Sequence, residues 1–478
     1  MSEQTDNSHL NQLILMSDEH TRKVLGCYGN ADVRTPNIDR LAARGTLFSD
    51  AYTPSPICVP ARASIATGRY IHQTGHWDNA HPYEGTPNSW AHVLRGMGRE
   101  VGSIGKLHYR DNDCDGGFGF TQIPMHVING VGDILGSVRK PLPLRPKSRN
   151  MAKNIGPGDT RYIRYDTQIT DQAVEFLCKR TPDDPPWTLF VSLIAPHFPL
   201  IAPPEFYEIY ADQGLFPSKP VPENEHKWHA AMRQCILFDN FTEDRTKIAL
   251  ASYYALVSFM DHNIGRVLDA LERSNLADNT LTIYTSDHGD NIGERALWGK
   301  SNFFEESVGV PFIMAGPDVP QNHVCRTAIN LTDIYPTIVQ TAGDAAEDDT
   351  SLPGRSLMDI VAEPDNENRA VFSEYHAMGA KSGAFMLRQG SWKFIYYVGL
   401  PPQLYNLTDD PDELTDLGRS DQHQDVCARL EAELRRICDP EHVDERANRD
   451  QEAVVDRHGG AAAVIATGGM SGTPPPTL

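Results

Sequence analysis

The chain has 478 residues, of which 40% are hydrophobic and 22% are charged, and its formal net charge at pH 7 is −21. This length exceeds one ordinary hydrophobic core, so we expect one large domain and a smaller one. The negative charge argues against a nucleic acid or an anionic membrane as a partner, although a local basic pocket can still bind an anionic substrate.

The N-terminus and the cysteines both predict a cytoplasmic protein. The first ten residues are polar and acidic, and they lack the basic and apolar parts of a signal peptide. No apolar run in the sequence approaches the length of a membrane span. The eight cysteines are scattered without CxxC spacing, so we expect reduced thiols at the positions other than Cys58.

The first element is a predicted strand followed by two carboxylates. An apolar run at residues 13–16 is typical of a buried strand, and Asp18 and Glu19 come directly after it. Ligands of open α/β sheets bind at the carboxyl ends of strands, and carboxylate oxygens suit a divalent cation. Taken alone, the pair is explained equally well as a capped turn at the start of a helix.

A cysteine lies next in a proline-rich loop, after a short predicted helix at residues 35–45 and a predicted strand at 46–52. Pro60 suits the first turn of a helix that Gly68 can end. Cys58 is then expected at a helix N-terminus, which favours an anion, and Arg62 can bind sulfate or phosphate from one turn further on. The usual alternative is a buried structural cysteine.

A third strand, at residues 101–108, carries Lys106 and His108 on one face, where they can converge on an anion or simply form a solvated strand end. Residues 110–160 are rich in Gly, Pro, Lys and Arg. We expect an irregular rim or lid over the site there. Its basic residues, including Arg139 and Lys140, can attract an anionic substrate, although a solvated basic loop is the commoner explanation.

The second half of the chain adds further predicted strands and helices. Residues 167–179 and 246–275 have helical spacing, while 187–193, 280–286 and 310–314 are typical of strands. The strand at 280–286 delivers Asp287 and His288 to the sheet edge that carries Asp18, which is how an α/β fold assembles a metal site.

The last part of the chain has a different pattern of predicted elements. From about residue 369 the alternation of strands and helices ends, and 384–397 predict a hairpin, followed by a helix at 424–438. Residues 459–478 are rich in Gly, Ala and Pro, too apolar for a purely solvating tail and too glycine-rich for a stable helix. We expect this segment to dock across a subunit interface in a homo-oligomer; a frayed terminus is the alternative.

The chain contains four notable motifs or blocks: Cys-x-Pro-Ala-Arg at 58–62 with Ala-Thr-Gly-Arg at 66–69, Gly-Lys-x-His at 105–108, Pro-His-x-Pro at 196–199 and the block at 27–41. Together they resemble one enzyme family, the type I sulfatases of the alkaline phosphatase superfamily. The resemblance implies an α/β fold, an alkaline-phosphatase-like α/β/α sandwich with a central mixed sheet and a small C-terminal antiparallel subdomain. The expected domains are a catalytic domain at 1–368 with the rim insertion at 110–160, a subdomain at 369–440 and a tail at 441–478.

The resemblance also implies a mechanism, the hydrolysis of a small-molecule sulfate monoester. In this family a formylglycine-generating enzyme oxidises the cysteine to formylglycine, and one hydroxyl of the hydrated aldehyde attacks sulfur. The second hydroxyl, deprotonated by a base such as His108, then expels sulfate. The implied catalytic residues are Cys58, Arg62, Lys106, His108, His197 and Lys300, with Asn79 binding substrate; the implied ligands of one divalent cation, Ca or Mn, are Asp18, Glu19, Asp287, His288 and the converted Cys58.

One departure keeps other functions open. Many arylsulfatases have Asp-Asn where this chain has Asp287 and His288, and the Asp-His pair resembles the choline-sulfatase and phosphonate-monoester-hydrolase branch. A nitrogen ligand suits manganese better than calcium. The alternatives are a phosphonate monoester or phosphodiester hydrolase with the same site, a cysteine hydrolase that uses Cys58 directly, and a non-catalytic anion-binding protein if Cys58 stays unconverted.

Overall fold

The computed structural model describes residues 10–343, 351–469 and 472–476. The strands are β1 (Asn11–Asp18), β2 (Thr46–Phe48), β3 (Ala51–Tyr52), β4 (Glu100–Lys106), β5 (Phe120–Met125), β6 (Ile155–Pro157), β7 (Trp187–Pro196), β8 (Leu200–Ala202), β9 (Thr280–Ser286), β10 (Phe312–Ala315), β11 (His323–Cys325), β12 (Ile329–Asn330), β13 (Val371–Tyr375), β14 (Ala384–Gln389), β15 (Trp392–Tyr397) and β16 (Leu400–Asn406). The helices are α1 (Pro36–Ala43), α2 (Cys58–Thr67), α3 (Ile71–Thr74), α4 (Trp90–Gly96), α5 (Arg161–Cys178), α6 (Pro204–Tyr207), α7 (Lys227–Cys235), α8 (Glu243–Arg273), α9 (Glu305–Val308), α10 (Ile334–Thr341), α11 (Leu357–Val361), α12 (Gln424–Ile437), α13 (Pro440–Arg457) and α14 (Gly460–Ala466).

A sheet of eight strands forms the centre of the larger part, in the order β11-β2-β10-β9-β1-β7-β4-β5. The run from β9 through β1, β7 and β4 to β5 is parallel, whereas β10 is antiparallel to both β9 and β2. The sheet is therefore mixed, as predicted. The carboxyl ends of β1, β4, β7 and β9 share one edge, which is where the candidate functional residues follow.

Helices cover both faces of this sheet, which explains why β1 is apolar at successive positions. Leu13 and Leu15 pack into one core with α1, α5 and α8. Ile14 and Met16 pack into the other core with α2, α4 and α10. A strand whose two faces are both buried needs apolar side chains on each, rather than an alternating pattern. The architecture is the α/β/α sandwich that the sequence predicted.

The smaller part is an antiparallel sheet in the order β13-β14-β15-β16. The predicted hairpin is confirmed: Gln389 pairs with Trp392, and Gly390 takes the positive φ of 62° that the tight turn requires. Helix α12 packs against this sheet through Leu430 and Leu434. Its bounds agree with the predicted helix to within one residue.

The segment 441–478, which we expected to be a tail, contains most of α13 and the whole of α14. Helix α13 is anchored by Gln451, a fully buried side chain that donates hydrogen bonds to the Asp78 carboxylate and the His376 carbonyl. In α14, Val464 packs against Leu135 and other apolar residues of the rim. The described residues of this segment therefore pack on their own chain, and the homo-oligomer stays a prediction. Within the described ranges, no helix combines the length and the apolarity needed to cross a membrane.

A buried ionic cluster joins the two sheets. Lys393 on β15 is fully buried and pairs with Glu305 at 2.9 Å and with Glu413 at 2.7 Å. Glu305 begins α9 in the larger part, and its backbone N–H donates to the Glu413 carboxylate. Removing one partner from such a cluster leaves a buried charge without compensation, so the smaller part is expected to be tied to the larger one by this contact.

The Lys393→Met substitution tests this connection. It keeps most of the side-chain volume but leaves Glu305 and Glu413 without their shared cation, and we expect it to lower the free energy of unfolding by about 3–5 kcal/mol. Urea unfolding followed by circular dichroism measures the change. Lys381→Met, at an exposed lysine, is the matched control and should change stability by less than about 0.5 kcal/mol. Equal stability of the two variants would contradict the assignment.

Candidate active site

Asp18 and Asp287 lie side by side because their strands are neighbours in the sheet. β1 and β9 are parallel, and Ser17 pairs with Ser286, the residues immediately before the two aspartates. Ligand atoms of four side chains lie within 4.8 Å of one another, namely those of Asp18, Cys58, Asp287 and His288. The predicted convergence of these residues at one sheet edge is therefore observed.

Cys58 is the first residue of α2, at the N-terminus that the proline pattern predicted. The helix ends at Gly68, whose φ of 66° supplies the left-handed C-cap. The Cys58 sulfur lies 3.1 Å from His288 Nε2, 3.4 Å from Lys300 Nζ and 3.6 Å from Asp18 Oδ1. Burial, helped by the Asp18 carboxylate, raises the pKa of the Cys58 thiol to about 12. The thiol is consequently protonated at neutral pH.

A cavity of about 340 Å³ opens onto Cys58. Six of the residues singled out in the sequence line it: Cys58, Asn79, Lys106, His108, His197 and Lys300. The four acidic or ligand-type residues Asp18, Glu19, Asp287 and His288 are completely buried and are not part of the lining. The predicted set thus divides into groups that can touch a ligand and groups that support them from below.

Arg62 lies behind the cavity rather than on its wall. The motif predicted that its guanidinium would reach an anion, but Arg62 is only 3% exposed and does not line the cavity. Its Nε donates to Asp287 at 2.8 Å and its Nη2 to Asp18 at 2.9 Å. Nη1 donates to the Lys106 carbonyl and the Ser192 hydroxyl. Every nitrogen of the guanidinium therefore has a partner inside the fold, and Arg62 links the two carboxylates.

Glu19 belongs to a second group of possible metal ligands, in which ligand atoms of Asp18, Glu19 and His197 lie within 4.8 Å of one another. Its backbone has a φ of 66°, which turns the chain sharply after β1. Its Oε2 accepts a hydrogen bond from Lys300 at 2.9 Å and lies 3.1 Å from His197 Nε2. Burial raises the pKa of Glu19 to about 8, although Lys300 acts to lower it. The observed contacts of Glu19 are therefore with two cavity-lining groups, Lys300 and His197.

The cations around Asp18 keep it ionised, while burial keeps His108 and His197 neutral. Burial acts to raise the pKa of Asp18, but the cations Lys106 and Arg62 outweigh it and hold that pKa well below its usual range. Lys106 Nζ is 2.6 Å from Asp18 Oδ2. Burial and then Lys106 lower the pKa of His108, and burial and then Lys300 lower that of His197. Neutral imidazoles can accept a proton at pH 7.

Two further parts of the chain line the cavity, and one of them could hardly be predicted from the sequence. Arg145 and Lys147 come from the rim insertion, in a stretch where only general basicity was apparent. Thr473, with Gly472, comes from the C-terminal segment that we expected near a subunit interface. The Thr473 hydroxyl is 3.0 Å from His108 Nε2, and its carbonyl accepts a hydrogen bond from Tyr162.

The comparison with known proteins agrees with this geometry. The sulfatase family model matches residues 11–344. The chain belongs to the sulfatase family. A second model, the C-terminal region of N-sulphoglucosamine sulphohydrolase, matches residues 293–439 of this sulfatase, which include the antiparallel sheet.

Individual relatives extend over most of the sulfatase. The choline-sulfatase of Rhizobium meliloti (strain 1021) is 33% identical over 428 residues, which cover 86% of this chain and 82% of the relative. Arylsulfatase K of Danio rerio is 30% identical over 473 residues, covering 93% and 87% of the two chains. The crystal structure of a phosphonate monoester hydrolase of Agrobacterium radiobacter has the same fold, with a TM-score of 0.73, 21% identity and coverage of 90% and 95%.

The group of four has the donors that a divalent cation requires. His288 Nδ1 donates to the Gly289 carbonyl, so the Nε2 lone pair faces the side of the ring where the Cys58 sulfur lies. Asp18 and Asp287 add carboxylate oxygens, and their lysine and arginine partners limit the repulsion between them. Two carboxylates and one imidazole next to Cys58 are a suitable set for a hard or borderline metal.

The Thr473 contact predicts that the C-terminal segment supports turnover. We expect Thr473→Val to lower kcat/KM about 5-fold, because one hydrogen bond to His108 is lost, and Thr473→Ser to retain most of it. Deletion of 472–478 should have the larger effect. Steady-state hydrolysis measures these values, and the mass of the Cys58 peptide checks that maturation is equal in all variants. Kinetics unaltered by the deletion would show that the contact is incidental.

Proposed function

We propose that this sulfatase hydrolyses sulfate monoesters with a nucleophile derived from Cys58 and with one divalent cation held by Asp18, Asp287, His288 and position 58. The observation that carries the proposal is the place of Cys58. It begins helix α2, lies among three metal-ligand side chains and still lines the cavity. Oxidation to formylglycine by a formylglycine-generating enzyme would place a hydrated aldehyde, with two hydroxyl groups on one carbon, at this position. The cation would act as a Lewis acid on the sulfuryl oxygens.

The side chains around the cavity suit the binding of a sulfate group. Lys106 and Lys300 supply two cations, which can hold non-bridging oxygens and stabilise the charge that develops on them. Asn79 adds a side-chain amide; its Oδ1 accepts the Val59 N–H at 3.2 Å, which holds the amide next to the start of α2. These contacts orient the ester with its leaving oxygen away from position 58.

Two histidines are available for the proton transfers. His108 would take the proton from a hydroxyl at position 58, and its ring is held on one side by Thr473 while the buried Nδ1 has no partner. Lys300 would give a proton to the leaving oxygen, and His197 is the other candidate in reach of the same region, able to donate once its neutral ring has taken up a proton. The His197 Nδ1 donates to the Phe198 carbonyl, which fixes the ring and leaves Nε2 for exchange. Arg62 acts through the two aspartates and touches no substrate atom.

A phosphonate monoester or phosphodiester hydrolase is the second candidate. It is favoured by the Asp287 and His288 pair and by the fold shared with the Agrobacterium phosphonate monoester hydrolase. Paired turnover of 4-nitrophenyl sulfate and the 4-nitrophenyl monoester of phenylphosphonate compares the two activities with one leaving group. A larger kcat/KM for the sulfate supports the first candidate, and a larger value for the phosphonate supports the second.

Cys58→Ala tests the nucleophile. We expect a folded protein whose hydrolysis of 4-nitrophenyl sulfate falls by a factor on the order of 10⁴ or more, because no other group at this position can attack sulfur. Cys427→Ala, at another buried cysteine, is the matched control and should keep full activity. Co-expression with a formylglycine-generating enzyme should raise turnover in proportion to the aldehyde that a hydrazide probe detects. Activity that is present without any hydrazide reaction would favour the cysteine hydrolase.

His288→Ala tests the metal centre with a readout that does not depend on turnover. The variant should hold less than one tenth of the wild-type metal per chain by elemental mass spectrometry, because its nitrogen ligand is gone. Chelation of the wild type should lower activity about 100-fold or more, and manganese should restore it at least as well as calcium. Asp269→Asn, at a half-exposed carboxylate paired with Arg40, is the control. Full activity in metal-free protein would exclude the proposed cation.

A further inference from the structure

One wall of the cavity carries charges that the proposed chemistry at Cys58 does not use. The rim insertion contributes Asp133, Arg145 and Lys147 to the lining. No other carboxylate lines the cavity in the described part of the chain. This wall therefore has an excess of positive charge, in a protein whose overall charge is −21. The positive charge of this wall indicates the kind of group that the organic part of a substrate would carry.

Arg145 is a buried cation, and one of its donor nitrogens has no hydrogen-bond partner. Its side chain is about 10% exposed, and its Nη2 donates to Asp133 Oδ2 at 2.6 Å. Its Nη1 has no hydrogen-bond partner, and neither has Asp133 Oδ1. A buried charged donor without a partner costs free energy, which a ligand acceptor would recover. The backbone of Arg145 is fixed by a hydrogen bond from its N–H to the Cys235 carbonyl, so the guanidinium is held at the cavity.

Lys147 is the second cation of this wall, and it has no carboxylate partner among the described residues. Its only hydrogen bond among the described residues is to the carbonyl of Gly469, and no described carboxylate oxygen lies within 4.0 Å. The other rim arginines are paired: Arg139 with Asp444 and Arg149 with Asp239. Arg139 and Lys140, to which the basicity of the sequence drew attention, are not part of the cavity lining. The rim cations that line the cavity are Lys147, which has no described carboxylate partner, and Arg145, which is paired with Asp133 but keeps an unpartnered Nη1.

The composition of this wall disfavours a cationic ligand. A quaternary ammonium group needs aromatic faces or carboxylates, whereas Tyr162 and Phe198 are the only phenyl rings in the described lining. The single carboxylate, Asp133, is already bonded to Arg145. We propose that the organic part of the substrate carries a second anionic group, a carboxylate or a second sulfate, which Arg145 and Lys147 bind. This inference rests on the proposed function, because it places the sulfate ester at Cys58 in the same cavity.

The experiment uses a matched set of substrates and the converted, metal-loaded protein. Phenyl sulfates carry a carboxylate, a second sulfate, a neutral carboxamide or a trimethylammonium group, each at the meta and at the para position. We expect kcat/KM for the carboxylate or the second sulfate to exceed that for the carboxamide about 10-fold or more, as expected for a charged hydrogen bond. The trimethylammonium ester should be the poorest substrate. Comparison of the two anionic substrates shows which group the wall prefers.

The variants locate the preference on this wall. In Arg145→Met and in Lys147→Met the ratio of anionic to carboxamide kcat/KM should fall to about 3 or less, and in Lys147→Glu the order of anionic and cationic substrates should reverse. Arg149→Met changes a neighbouring exposed arginine that does not line the cavity, and it should keep the wild-type ratio. If Arg145→Met does not fold, the two Lys147 variants still decide the question.

Binding of unreactive sulfonates separates this inference from the proposed hydrolysis. Calorimetry compares benzenesulfonates with a carboxylate or a carboxamide on the ring, in the wild type and in Lys147→Glu. A preference for the carboxylate that the variant loses supports the inference even if no sulfate ester is hydrolysed, in which case the proposed function alone fails. A wild-type ratio near one in both kinetics and binding, or a preference unchanged by all three variants, would falsify the second-anion subsite.

Discussion

The site depends on the bond that Arg62 makes to two aspartates at once. Asp18 and Asp287 end neighbouring parallel strands, so the topology of the sheet forces two carboxylates together in a place without solvent. Like charges at this separation raise the free energy of the folded chain unless a cation lies between them. Arg62 is that cation, and it comes from α2, the helix that begins with Cys58. One guanidinium therefore compensates the carboxylates and fixes the helix that begins at Cys58.

Two further sets of contacts hold the residues around this bond, one at the end of β4 and one at the end of β7. Lys106, at the end of β4, gives Asp18 a second cation while its carbonyl receives a hydrogen bond from Arg62. Asp166 on α5 accepts the N–H groups of Ile194 and Ala195, which holds the end of β7 just before His197. Burial raises the pKa of Asp166 to about 7 in spite of these two bonds. The cavity-lining cation and imidazole are thus held by groups that never reach the cavity.

Many elements of the fold and several residues of the site could be predicted from local sequence, because strands, helix starts and motif residues depend on near neighbours in the chain. The strand before Asp18, the helix from Cys58 to Gly68 and the hairpin at Gly390 are of this kind. The role of Arg62 could not be read in this way, since its partners are set by contacts 44 and 225 positions away. The left-handed backbone turn at Glu19, directly after β1, could not be predicted either, because the sequence offers no glycine there to signal it. Helix α13 was missed because its anchor, Gln451, is a single polar residue in a largely charged stretch.

The burial of Cys58 has a consequence for the order of events in the cell. The side chain is 2% exposed and its backbone is already helical, so a modifying enzyme has no extended peptide to grip once the sheet and α2 have come together. The proposed oxidation and the folding of the chain are then two competing first-order processes that draw on one pool of nascent polypeptide. Their relative rates, rather than the concentration of finished protein, set the fraction of molecules that are competent. Slower synthesis or delayed collapse of the sheet shifts that partition toward the modified form, and prolonged incubation of folded thiol protein with the modifying enzyme does not.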